Sequence, residues 1–114
     1  MEEKFLRDTF VYGNEFWEFY NSQSLSVQKK IDWTIGLVRS LRVIPEKFFK
    51  HIEGTDGLYE IRVKFGSDIF RIFCFFDKGR LIILLNGFRK KSQKTPLGEI
   101  ERALSLRRKY YEEK

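Results

Sequence analysis

Residues 81 to 96 read LIILLNGFRKKSQKTP. An apolar run, Leu81 to Leu85, ends in Asn86-Gly87-Phe88. Arg89, Lys90, Lys91 and Lys94 follow, ahead of a helix start at Thr95-Pro96. No Asp or Glu lies between Asp77 and Glu99. A buried strand thus brings one aromatic ring and four cations to one edge of the fold. Cations hold phosphates and an aromatic face stacks on a base, so the set suits a flexible polyanion. On charge alone, a solvated basic turn after a core strand is an equal reading.

A second cationic pair comes from strand parity. In the stretch from Leu58 to Phe65, Tyr59, Ile61, Val63 and Phe65 point one way, and Glu60, Arg62 and Lys64 the other. In Ile69 to Phe76, Phe70, Ile72, Cys74 and Phe76 share one face, and Ile69, Arg71, Phe73 and Phe75 the opposite one. Matching apolar face to apolar face is the register that avoids burying Arg62 and Lys64. A two-residue Gly66-Ser67 turn of type II′ supplies it, setting Phe65 opposite Asp68 and Arg62 opposite Arg71. Lys78-Gly79 fits a primed or bulged hairpin turn; as a two-residue turn it pairs Asp77 with Arg80 and Arg71 with Asn86. The expected row is Arg62, Arg71 and Asn86, with Phe88 and Lys90 further along the same face. Like charges placed opposite each other are destabilising unless an anion lies between them. A bound phosphate can supply it, or Glu60 can. The remainder of that face, Phe73, Phe75, Ile82 and Leu84, needs a cover: the C-terminal helix is the natural one, or a partner chain.

Other elements must position these groups. Phe5 to Tyr12 reads as a first strand. Asn14 is placed to cap a helix over Glu15–Asn21, rich in Phe16, Trp17, Phe19 and Tyr20. Ser24 or Ser26 is placed to cap a longer helix to about Leu41, with Val27, Ile31, Ile35, Val38 and Leu41 at three- and four-residue spacing. Together they form a helical hairpin. Pro45–Gly57 reads as a connector carrying Lys47, Lys50 and His51. Three strands follow, Leu58–Phe65, Ile69–Phe76 and Leu81–Phe88. A last helix has Pro96 at its first position and Leu97, Ile100, Ala103, Leu104 and Tyr111 on one side.

Composition narrows the function classes. The 114 residues suit one domain, 1–114, able to bury a core, and 12 phenylalanines argue against disorder despite 33% charge. The net charge of +6 favours an acidic partner. The single cysteine, Cys74, excludes an internal disulfide and a multi-cysteine zinc site. Within an apolar strand it reads as a structural thiol rather than a nucleophile. The segment MEEKFLRD lacks the apolar core of a signal peptide, and no run approaches the roughly 20 apolar residues of a membrane span. The expectation is a cytoplasmic protein with no metal or other cofactor and no membrane contact.

GLYEIRVKFGSDIFRIFCFF, LLNGFRKKSQKTP and the closing EIERAL with Tyr110-Tyr111 resemble the phage-derived Gp49-like, HigB-type toxins of the RelE/ParE superfamily. The resemblance covers residues 50 to 111. It implies an α+β, RelE-like fold: an N-terminal helical hairpin packed on a small antiparallel sheet, with a C-terminal helix. It also implies a type II toxin–antitoxin pair with a cognate helix-turn-helix antitoxin, and metal-free cleavage of mRNA on the ribosome. ParE relatives instead poison DNA gyrase.

Such cleavage uses the RNA's own 2′-OH as nucleophile. Arg62 and Arg71 fit the phosphate by position and by their forked donors; Lys90 and Lys91, crowded beside Arg89, are able to move a proton, and the resemblance adds Lys50 as a third candidate by its place in the family pattern. Lys50, Lys64, Asn86, Phe88, Arg89 and Lys94 are expected to contact RNA, Phe88 as a stacking plate. Many relatives carry histidine or tyrosine where this chain has Phe88, so His51 and Tyr111 become the candidate proton donors. The lack of an obvious donor keeps other readings open: a non-catalytic toxin acting on a protein such as gyrase, or a prophage remnant.

Overall fold

Gly66 has φ +60°, as a type II′ turn requires of its first central residue, and the hairpin it makes frames the fold. A computed structural model describes residues 5–114. Strand β3 (Leu58–Phe65) pairs antiparallel with β4 (Asp68–Asp77), with Phe65 opposite Asp68 and Arg62 opposite Arg71, as parity demands. The described residues form an α+β fold: three helices, α1 (Glu15–Asn21), α2 (Leu25–Ser40) and α3 (Leu97–Glu112), and a five-stranded sheet. With β1 (Asp8–Val11), β2 (Phe49–His51) and β5 (Leu81–Lys90), the strand order is β1-β5-β4-β3-β2. The sheet is antiparallel from β5 to β2, and β1 adds a short parallel edge along β5. β2 forms in what the sequence suggests is a plain connector.

The second turn departs from expectation. Lys78 and Gly79 both have positive φ, but Asp77 pairs with Leu81, so the loop holds three residues rather than two. That one-residue shift turns Ile83 and Leu85, rather than Ile82 and Leu84, toward α3. A bulge then corrects the parity. Cys74 pairs with Leu84 but Ile72 with Gly87, so Phe73 lies opposite both Leu85 and Asn86. Beyond the bulge Arg71 faces Phe88, not Asn86, and Ile69 faces Lys90. Gly87 falls on the other face, where a Cβ would collide with the Phe19 ring. Glycine at this position lets α1 sit directly on β5.

Two apolar clusters sandwich the sheet. Phe16, Phe19, Val27, Ile31 and Val38 of α1 and α2 pack on Ile61, Val63, Phe70, Ile72, Ile82 and Leu84. Cys74 belongs to this cluster, and burial pushes its thiol pKa up, as befits a structural thiol. Ala103 and Leu106 of α3 cover Leu58, Phe73, Phe75, Ile83, Leu85 and Phe88.

Helix ends bring smaller corrections. The Ser24 hydroxyl accepts from the Val27 N–H and caps α2. Asn14 makes no side-chain cap; its own N–H donates to Glu15 Oε1 at 3.0 Å. Pro96 stands at the cap of α3, one place earlier than expected. Leu97 is exposed and Tyr111 half-exposed, while Leu106 takes the buried place on that helix.

Candidate functional site

α3 covers only part of its sheet face. Along β3 the face runs Leu58, Glu60, Arg62; along β4 it runs Phe75, Phe73, Arg71. The apolar members lie beneath α3 and the charged members beyond it.

Arg62 and Arg71 are directly cross-strand, and Glu60 resolves their repulsion. Glu60 Oε2 lies 2.9 Å from Arg62 Nε and 2.9 Å from Arg71 Nε. Neither Nε is aligned for a hydrogen bond, so the carboxylate holds the pair by charge. Arg62 Nη1 donates to the Glu46 carbonyl at 3.3 Å, and Arg71 Nη1 to the Phe70 carbonyl at 3.2 Å. Arg71 and Glu60 are both buried, whereas Arg62 is partly open to solvent. Burial lowers the Arg71 pKa; Glu60 opposes that shift and Arg62 adds to it.

Lys90 completes the group from the end of β5. Its pKa is lowered, first by burial and then by the charge of Arg71, with Arg62 and Lys50 adding and Glu60 opposing. Lys50 reaches the same face from β2, where it is the cross-strand partner of Glu60. A hollow of 160 Å³ is lined by Lys47, Arg62, Val63, Lys64, Ile69 and Arg71. A neighbouring hollow of 410 Å³, bounded by Ile69, Lys90, Lys91, Ser92 and Gln93, adjoins it. Two forked guanidiniums thus flank one carboxylate, and a lysine with a lowered pKa stands further along the same face. That set can seat a phosphate, stabilise charge growing on it and move a proton.

Other expected members lie elsewhere. Asn86 is buried and donates from Nδ2 to the Glu99 carbonyl and Glu99 Oε1, both at 3.1 Å, so its amide fastens α3. Phe88 is buried, 5.3 Å from Phe73 between ring centroids, and offers no free stacking face. Arg89 points to the other face and pairs with Asp68 at 2.5 Å. His51 is turned away from Glu60; its ring packs on Tyr59 and its Nε2 is 3.0 Å from the Thr55 carbonyl oxygen. Tyr111 packs at 5.6 Å on Phe75, which lies four residues along β4 from Arg71, roughly 13 Å away. Neither His51 nor Tyr111 is placed to donate a proton beside the arginine pair. Lys91 and Lys94 are exposed in the segment after β5, and Lys64 is exposed on β3. Lys47 is the contributor that sequence reasoning passed over. Its signal was its place one residue before the aromatic pair Phe48-Phe49, which starts an edge strand.

Among the described residues, no three His, Cys, Asp or Glu side chains are grouped to hold a metal ion, and no helix is long and apolar enough to cross a membrane. The family described as phage derived protein Gp49-like matches residues 18–108, most of the chain. It is a phage-derived family whose members are often toxin-like. No curated protein matches the sequence.

Proposed function

The chain belongs to the phage-derived Gp49-like family, and from that premise we propose that it is the toxin of a type II toxin–antitoxin system. In this reading it is a HigB-like mRNA endonuclease of the RelE/ParE superfamily. It works in the cytoplasm as one domain, 1–114, and cuts messages on the ribosome to halt translation. The observation that carries the reading is the Arg62–Arg71 pair held on Glu60, with Lys90 further along the same sheet face, beyond the cover of α3.

The chemistry follows from those groups. The scissile phosphate displaces Glu60 from between the two guanidiniums. The displaced carboxylate is the nearest base for the 2′-OH proton. The 2′-oxygen attacks phosphorus, and the pentavalent state gains negative charge where Arg62 and Arg71 already point. The bond to the 5′-oxygen breaks, and Lys90, with its lowered pKa, protonates that oxygen. The products are a 2′,3′-cyclic phosphate and a 5′-hydroxyl. No cofactor enters. Lys50, Lys64, Lys91 and Lys94 add charge along the path of the strand. The surplus of six positive charges suits masking by an acidic segment of a helix-turn-helix antitoxin.

One observation favours a second reading. Phe88 is a buried core residue, at the place where the resemblance implies a histidine or tyrosine. A toxin without nuclease chemistry would use the same basic face to bind a protein such as gyrase.

Inducible expression with 5′-end mapping of transcripts separates the two. New in-frame cuts in translated messages, reduced about 100- to 1,000-fold in Arg71→Ala, are the expected outcome, the cost of removing one donor to an oxyanion. Growth arrest with uncut messages overturns the nuclease and favours the protein target.

A further inference from the structure

β2 pairs with β3 over Tyr59 to Ile61 and stops. The last backbone contact on that side is the Arg62 N–H donating to the Phe48 carbonyl at 2.8 Å. From there β3 runs on to Phe65 along the sheet margin, and a groove opens beside it. The groove has a volume of 390 Å³ and is lined by Lys30, Trp33, Thr34, Lys47, Phe48, Arg62, Lys64 and Gly66. That is within the size range of small-molecule sites.

Four of those side chains are cations and none is a carboxylate. Two are aromatic. Trp33 is half-exposed and meets Phe48 edge-on, with centroids 5.8 Å apart. Lys30 Nζ lies 4.3 Å from the centre of the Trp33 ring, and Lys47 Nζ 4.9 Å from that of Phe48. Exposed indole is expensive to leave in water and is well suited to stacking. Lys47, Arg62 and Lys64 also line the hollow at the arginine pair, so the groove and the phosphate seat are one continuous surface. An acidic peptide would find charge here but no use for a ring flanked by ammonium groups. A nucleotide uses both, the ring for its base and the lysines for its phosphates.

We propose that this groove is a nucleotide subsite for single-stranded RNA flanking the scissile bond, with Trp33 as the stacking plate and Lys30 and Lys47 as phosphate contacts. The inference rests on the RNA-cleaving reading of the arginine pair. It supplies the stacking surface that the buried Phe88 does not.

The chain has two tryptophans, so Trp17→Phe leaves Trp33 as the only indole. In that background, a 2′-O-methyl oligouridine hexamer, which cannot be cleaved, is titrated while indole fluorescence is followed. A dinucleotide spanning only the phosphate seat is the control. The hexamer quenches Trp33, and the dinucleotide does not. Trp33→Ala, followed by polarisation of a labelled hexamer, weakens hexamer binding roughly tenfold, the loss of one stacked base, and leaves the dinucleotide unchanged. Trp33→Phe recovers most of that loss, which separates stacking from misfolding. Arg71→Ala weakens both ligands. Arg71-dependent hexamer binding with no quench and no effect of Trp33→Ala overturns the subsite and leaves the nuclease reading standing. Absence of Arg71-dependent binding by either ligand overturns both. Quenching by a polyglutamate peptide but not by the hexamer overturns the subsite in favour of a protein-docking groove.

Discussion

The half of the sheet face under α3 and the half beyond it are built by the same strands. Under the helix stand Leu58, Phe73, Phe75, Ile83, Leu85 and Phe88; past it stand Glu60, Arg62, Arg71 and Lys90. The change takes one step of two residues along each of β3 and β4. At the boundary on β5, Asn86 ties the start of α3 to the sheet through Glu99. The covered half is held by apolar contact and needs nothing further. The uncovered half is cationic and holds an internal anion, Glu60, in the place a phosphate would take. The contrast shows how a short helix can leave a reactive surface beside a dry core without a separate loop scaffold.

The two halves should therefore fail differently. In the covered half, Phe73→Ala removes a fully buried ring and should cost about 3–5 kcal/mol of stability, read by chemical denaturation, with the far-UV signature of the native state retained in water. A cost below 1 kcal/mol would mean that α3 does not pack as described.

In the uncovered half, Glu60→Gln leaves two guanidiniums without their shared counter-ion. Removing one partner of a fully buried pair costs about 3–5 kcal/mol; with Arg62 partly exposed, about 2 kcal/mol is expected here. The distinguishing sign is rescue. Sulfate should raise the melting temperature of the variant more than that of the unaltered chain, because the anion refills the gap. Equal responses would show that the arginine pair is not an anion seat.

On the opposite face of β5, beside the bulge, Gly87→Ala tests the seat of α1. A methyl group there meets the Phe19 ring, and overpacking of this kind costs about 1–3 kcal/mol. Adding Phe19→Leu should recover part of it; no recovery would place the strain elsewhere.

The smallest effect lies at the far end of the covered half. Lys114 at 2.8 Å and the Tyr110 hydroxyl at 2.6 Å both donate to Asp77 Oδ2 and hold its carboxyl below the ordinary carboxylate pKa. The same hydrogen bond pushes the Tyr110 phenol up to about 12. A depressed carboxyl pKa stabilises the fold above its unfolded value and ceases to do so as pH falls through its folded value. Asp77→Asn should therefore flatten the acid side of the stability profile and lower stability at neutral pH. An unchanged acid limb would count against the contact.

Legibility in the sequence followed alternation. In LYEIRVKF, polar Glu60, Arg62 and Lys64 alternate with apolar neighbours, so one register is allowed, and Arg62 opposite Arg71 was readable from it. LIILL is apolar at every position, so its pattern fits either register, and the three-residue loop and the bulge left no mark in it. The expected row through Asn86 failed for that reason. His51 and Tyr111 were chosen by side-chain chemistry alone, and chemistry does not say which face a residue occupies. Nothing in the sequence sets Trp33 beside Arg62; only the packing of α2 along β3 brings them into one groove.

What the chain decided by itself was local. The spacing of apolar residues set α2, Ser24 started it, Gly66 turned the first hairpin, and the apolar faces of β3 and β4 brought two arginines together. These rest on contacts between near neighbours, where sterics and periodicity suffice. The tertiary structure decided the rest: the parallel seat of β1, the bulge opposite Phe73, the extent of α3's cover, and so which charges stay open. Those depend on which distant surfaces fit together, because the burial of Phe19 on Gly87 and of Phe88 under α3 outweighs any preference written in β5 alone.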